Sequence, residues 1–156
     1  MMPPEYQEWI KKNQGAILAI DNSASVIQCL KTINKALAQL NLRDFCDCIL
    51  FNELYAGYIG QELIGSVLDK ILWQTAWEER KKKDKILQLT SSVCAGAGGY
   101  KNLNRLLSFR RESILIVTDE IISHAPIPAT YNNVLWLAVF TPISKLPENH
   151  ILCRIE

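Results

Sequence analysis

The stretch AILAIDNSASV, Ala16 to Val26, decides how the chain is read. Five apolar residues, Ala16–Ile20, run without alternation and end on Asp21, with Ser23 and Ser25 at the next alternate positions. A short unbroken apolar run implies a strand covered on both faces, as in a parallel sheet. A carboxylate closing such a strand is costly unless something compensates its charge. Two readings compete. In one, the acid and serines cap the helix that follows, with Ser25 as N-cap. In the other, their oxygens hold a divalent cation.

The flanking sequence supplies the rest of the architecture. VIQCLKTINKALAQL puts Val26, Leu30, Ile33, Leu37 and Leu40 on one helical stripe. CDCILF, Cys46–Phe51, predicts a second strand, and LYAGYI, Leu54–Ile59, follows so closely that an antiparallel hairpin is expected. A long amphipathic helix is expected from Gln61 to about Lys83, with Leu63, Ile64, Val67, Leu68, Ile71 and Leu72 on its apolar face. KILQL, after it, fits either a helix end or a short strand. Gly96–Gly99 must be a loop, and LNRLLSF reads as a short helix. SILIVTDE is another apolar run ending in an acid, Asp119. A proline-bearing loop, IISHAPIPATYNN, leads to a buried strand, VLWLAVF, and HILCRI reads as a last, edge strand. Strands alternating with helices predict an α/β fold with a mostly parallel sheet. Residues 1–14 read as an arm or marginal helix, and 15–156 as a single domain.

Bulk properties narrow the function classes. A chain of 156 residues is expected to form one domain and to bury a sizeable core. Charged residues make up 21% and the formal net charge is +1, so nothing global points to nucleic acid or a membrane. No run reaches 18 apolar residues, and the polar start MMPPEYQEWIKKNQ lacks a signal-peptide core. The five cysteines include no CxxC pair; Cys46 and Cys48 would share one face of a strand. Free, mostly buried thiols in a reducing, cytoplasmic setting are expected.

Asp21 and Asp119 both sit at carboxyl ends of predicted strands, where open α/β sheets bind ligands. DNSAS matches the DxSxS signature of von Willebrand factor A (vWA) domains, where it opens a metal-ion-dependent adhesion site. SILIVTDE resembles that family's fourth-strand motif, and VLWLAVF after a proline-rich loop resembles the next strand of a bacterial VWA-like, putative metallopeptidase-type subfamily. The resemblance covers roughly residues 14–156 and implies a Rossmann-like three-layer sandwich with one antiparallel edge strand. It implies magnesium or manganese held by Asp21, Ser23, Ser25 and Asp119, with one position open for a partner's carboxylate. The implied partner-binding rim comprises Asn22, Gly98, Gly99, Tyr100, Lys101 and Glu120. A non-enzymatic interaction module follows, serving a larger bacterial assembly: a MoxR-type AAA+ ATPase or a stress or defence effector.

Four positions depart from the family pattern. Tyr100 stands where its coordinating Thr is expected, Lys101 where an acid often follows, Asn52 where an Asp is common, and Glu120 where glycine is usual. A degenerate site is the alternative, with Lys101 pairing with Asp21 or Asp119 in the cation's place. An enzymatic alternative is a PIN-like nuclease or other metal-dependent hydrolase using Asp21, Asp119 and Glu53 or Glu62. GAGGYKN does not match a phosphate-binding loop, because Tyr100 separates Gly99 from Lys101. His124 and His150 read as loop residues, EERKKKDK as a solvated helix end, and Trp73 and Trp77 as core. Trp9 is an apolar anchor that docks on its own domain or on a partner.

Overall fold

The unalternating runs form the inner strands of a six-stranded sheet. The structure, a computed structural model, describes residues 2–59, 77–83, 87–120, 133–140 and 146–156. Its strands are β1 (Ala16–Asp21), β2 (Phe45–Phe51), β3 (Ala56–Tyr58), β4 (Ile114–Thr118), β5 (Val134–Ala138) and β6 (His150–Arg154). They lie in the order β3-β2-β1-β4-β5-β6. All pairings are parallel except β2 with β3, the hairpin expected from LYAGYI. Alternate residues feed two cores. Leu18, Ile20, Leu115, Val117, Leu135 and Leu137 share one with Val26, Ile33, Leu37 and Trp77. Ile17, Ala19, Ile114, Ile116, Val134 and Trp136 share the other with Tyr100, Leu103 and Leu107. This two-sided cover is what the apolar runs require, and it makes the fold Rossmann-like.

The helices are α1 (Pro4–Lys12), α2 (Leu30–Leu37), α3 over residues 77–82 and α4 (Lys101–Leu107). The N-terminal segment is therefore a helix on the domain rather than an arm apart from it. Its Tyr6, Trp9 and Ile10 are buried in the core, so Trp9 docks on its own domain. The helix predicted over Val26–Leu40 starts as a 3-10 helix, Ala24–Cys29, and becomes α-helical only at Leu30. Of its stripe, Val26, Ile33, Leu37 and Leu40 are buried and Leu30 packs against them. Within KILQL, residues 87–89 are neither helix nor strand. Asn34 instead supplies the pairing: Leu89 N–H donates to Asn34 Oδ1 (2.7 Å) and Asn34 Nδ2 donates to Leu89 O (2.8 Å). Leu63, Ile64, Val67, Leu68, Ile71, Leu72, Trp73, Glu62 and His124 lie outside the described residues.

Two side-chain expectations need correction. Cys46 and Cys48 do not share a face. The ladder jumps from Ala16↔Phe45 to Ile17↔Asp47, so Cys46 is an extra, bulged residue. Cys48 joins one core while Cys46 packs against the other. All five cysteines are free thiols. His150 is a buried strand residue rather than a loop residue. Trp136 Nε1–H donates to its Nδ1 at 3.2 Å, and burial holds its pKa below the usual histidine value. Just before the charged run, Trp77 donates through Nε1 to Phe45 O (3.0 Å), and within it Lys81 pairs with Glu78 (2.8 Å).

Candidate metal centre

Asp21 is the last residue of β1, and Asp119 follows β4, the strand beside it. The chain crosses from one half of the sheet to the other between these strands, which puts both acids at the switch point. Both are buried, each 4% exposed. Thr118 joins them. Its hydroxyl oxygen lies 2.7 Å from Asp21 Oδ2, 3.0 Å from Glu120 O and 3.3 Å from Asp119 Oδ1. The hydroxyl has one proton, and the Asp21 contact is the shortest of the three. Thr118 was not among the residues singled out from sequence. Its signal was its place in SILIVTDE, just before Asp119, as the polar residue ending an otherwise apolar strand.

The turn after β1 is built from its own side chains. Asp21 Oδ1 accepts Ser23 N–H at 2.8 Å, and the Ser23 and Ser25 hydroxyls lie 3.1 Å apart. Ser25 is not the N-cap. The residue flanking the 3-10 helix is Ser23, and no side chain caps that helix. Capping therefore does not account for either hydroxyl. Burial above all raises the Asp21 pKa to about 6, and the nearby Asp119 charge adds to it. The bonds from Thr118 and Ser23 oppose that rise. Burial, and then the charges of Asp119 and Asp21, push the Cys29 thiol up to about 11. A thiol there stays protonated at neutral pH.

The donor set fits a hard, oxygen-seeking cation in part. In an octahedral magnesium site with bonds of about 2.1 Å, neighbouring ligand oxygens lie about 3.0 Å apart. The Ser23–Ser25 separation of 3.1 Å is that of one octahedral edge. Two buried carboxylates linked by one hydroxyl supply negative charge, and among the described residues neither forms an ion pair. Lys101, exposed at the start of α4, does not pair with Asp21 or Asp119, so it does not replace a cation. Among the described residues no three His, Cys, Asp or Glu side chains gather into a metal cluster. The fit thus rests on hydroxyls beside two acids.

The rim residues separate into two kinds. Lys101 and Glu120 are exposed, and Gly98 and Gly99 are half-buried. Asn22 and Tyr100 are buried and cannot meet a partner directly. The Tyr100 ring packs against Phe51 (centroids 5.4 Å) and edge-on to Trp136 (5.7 Å). An aromatic ring held in the core explains why the glycine loop offers no threonine-like ligand. Asn52, at the end of β2, accepts Leu54 N–H (2.8 Å) and Tyr55 N–H (3.0 Å) through Oδ1 and donates from Nδ2 to Asn22 Oδ1 (3.1 Å). An aspartate there has no proton for that last bond. The glycine loop is tied in as well: Ala24 N–H donates to Gly96 O (2.8 Å) and Glu53 N–H to Ala97 O (2.9 Å). Gly96 has φ +73°, and a Cβ there would meet Leu54 at 2.9 Å, so glycine is required.

No protein-family model matches the chain, and no curated protein matches it either.

Proposed function

We propose that this chain is a vWA-like, non-enzymatic interaction module whose partner-binding face is the carboxyl edge of the sheet around Asp21 and Asp119. One observation carries the reading: two buried carboxylates, Asp21 and Asp119, are bridged by the Thr118 hydroxyl beside a turn whose Ser23 and Ser25 hydroxyls lie 3.1 Å apart. Magnesium or manganese would be held by the Ser23 and Ser25 hydroxyls, with Asp21 and Asp119 binding directly or through water. A bound cation there would polarise and hold a carboxylate offered by a partner protein. The partner class, an AAA+ ATPase or a larger effector subunit, comes from the family resemblance. The sheet order and the antiparallel edge strand agree with that resemblance. The hydrolase reading gains no such support. Glu53 is exposed, its backbone tied to the glycine loop, and among the described residues no third acid joins Asp21 and Asp119.

The test is a thermal melt of the wild type and Asp21→Ala in EDTA, magnesium and manganese. A ligand that binds only the folded state adds about 2.7 kcal/mol of stability at a hundred times its Kd. A metal-dependent rise in Tm lost in Asp21→Ala is the expected result. No rise at millimolar metal overturns a stand-alone cation site.

A further inference from the structure

Asn22 stands between the first two proposed ligands, Asp21 and Ser23, yet it is fully buried. Every polar group it has is used. Its N–H donates to Phe51 O (3.0 Å), and its carbonyl accepts Ala95 N–H (3.0 Å). Its amide Nδ2 donates to Val93 O (3.1 Å) and to the Tyr55 hydroxyl (2.8 Å), and its Oδ1 accepts from Asn52 (3.1 Å). The amide orientation is fixed, because Val93 O can only accept. Asn22 thus pins the ligand turn to the loop after β2 and to the segment before the glycine loop. Of its partners, Phe51 and Asn52 are themselves buried. Tyr55 is 40% exposed, beside Leu54 at 69% and Val93 at 38%.

We propose that Tyr55 is a positioning residue for the cation site, acting through Asn22. The phenol oxygen holds the Asn22 amide, the amide fixes the turn between Asp21 and Ser23, and the turn sets where the ligand oxygens stand. Groups that orient ligands without touching the metal commonly govern its affinity. This inference rests on the cation site proposed above.

The experiment is a manganese titration of wild type, Tyr55→Phe and Leu54→Ser, followed by electron paramagnetic resonance, with parallel melts in EDTA. Tyr55→Phe removes only the hydroxyl. Leu54→Ser disturbs the same loop at a side chain that cannot bond Asn22. The expected result is that Tyr55→Phe weakens manganese binding roughly tenfold while it stays folded in EDTA, with a Tm lowered only by the lost bond. Leu54→Ser keeps the wild-type affinity. Equal affinity in wild type and Tyr55→Phe overturns the inference and leaves the cation site standing. An equal loss in Leu54→Ser overturns it too, as general loosening of the loop. No manganese binding by the wild type overturns the cation site and the inference together.

Discussion

The Thr118 hydroxyl stands 2.7 Å from Asp21 Oδ2, so the last residue of β4 holds the last residue of β1. Parallel neighbours share no turn, and this bond ties their carboxyl ends across the sheet. Thr118→Val keeps the shape and removes the bond, leaving Asp21 with its bonds from Ser23. A loss of about 1–3 kcal/mol is expected at pH 7, as for a buried charged acceptor that loses a donor. Urea unfolding at pH 7 and pH 5 checks it, with the smaller loss at pH 5, where Asp21 is largely protonated.

Asp21 weakens the metal-free fold at neutral pH. Its folded pKa, raised to about 6 from 3.8, means that the native state holds an extra proton between those values. Metal-free stability therefore falls as pH rises through that window and levels off above it. A shift of that size corresponds to about 3 kcal/mol. Asp21→Asn fits the same bonds, accepting Ser23 N–H through Oδ1 and donating to the Thr118 oxygen. It is expected to raise the Tm in EDTA at pH 7 and to abolish the response to magnesium. A lower Tm in EDTA contradicts the expectation.

His150 responds to acid in the opposite sense. Burial lowers its folded pKa, and its Nδ1 must stay unprotonated to accept the Trp136 N–H. The unfolded chain takes up a proton near the ordinary value of about 6.5, so stability is lost as pH falls below that point. The two effects overlap in the wild type. In an Asp21→Asn background, melts from pH 7 down to pH 5 should show a falling Tm. The fall should disappear when His150→Gln is added.

Arg110 compensates a buried carboxylate at the opposite end of β2. Its Nη2 lies 2.6 Å from Asp47 Oδ2, its Nε 3.0 Å from Glu112, and its guanidinium 5.9 Å over the Tyr58 ring. The Asp47 side chain is 3% exposed. Arg110→Leu leaves that charge without its partner and is expected to cost about 3–5 kcal/mol. Adding Asp47→Asn should recover part of the loss. A double-mutant cycle by urea unfolding measures the coupling.

Much of this structure can be read from residue order. Ile17–Ile20, Ile114–Val117 and Val134–Leu137 are apolar without alternation because helices cover both faces, and that pattern alone specifies inner parallel strands. The short link from Phe51 to Ala56 specifies the antiparallel hairpin. Asp21 and Asp119 stood out because acids at the ends of such runs demand compensation. Tyr55 did not stand out, and Thr118, Asn22 and Asn52 stood out only as members of a motif, a rim residue and a departure from a pattern, because a hydroxyl or amide shows its role only once its partner across the sheet is known. Tyr100 was misplaced for a related reason. Counting from the glycine loop gives its position in the chain but not that its ring packs between Phe51 and Trp136. Cys46 misled through alternation, which holds only while a strand has no extra residue.

That extra residue has a consequence for how the domain tolerates change in length. Removing most residues from an inner strand shifts the remainder by one place and exchanges its two faces. Removing Cys46 does neither. Phe45 still meets Ala16, Asp47 still meets Ile17, and the side chains of Phe45, Asp47 and Cys48 then alternate regularly. The sheet thus carries an insertion it has already absorbed, at the one point in β2 where a codon can come or go without re-sorting the core.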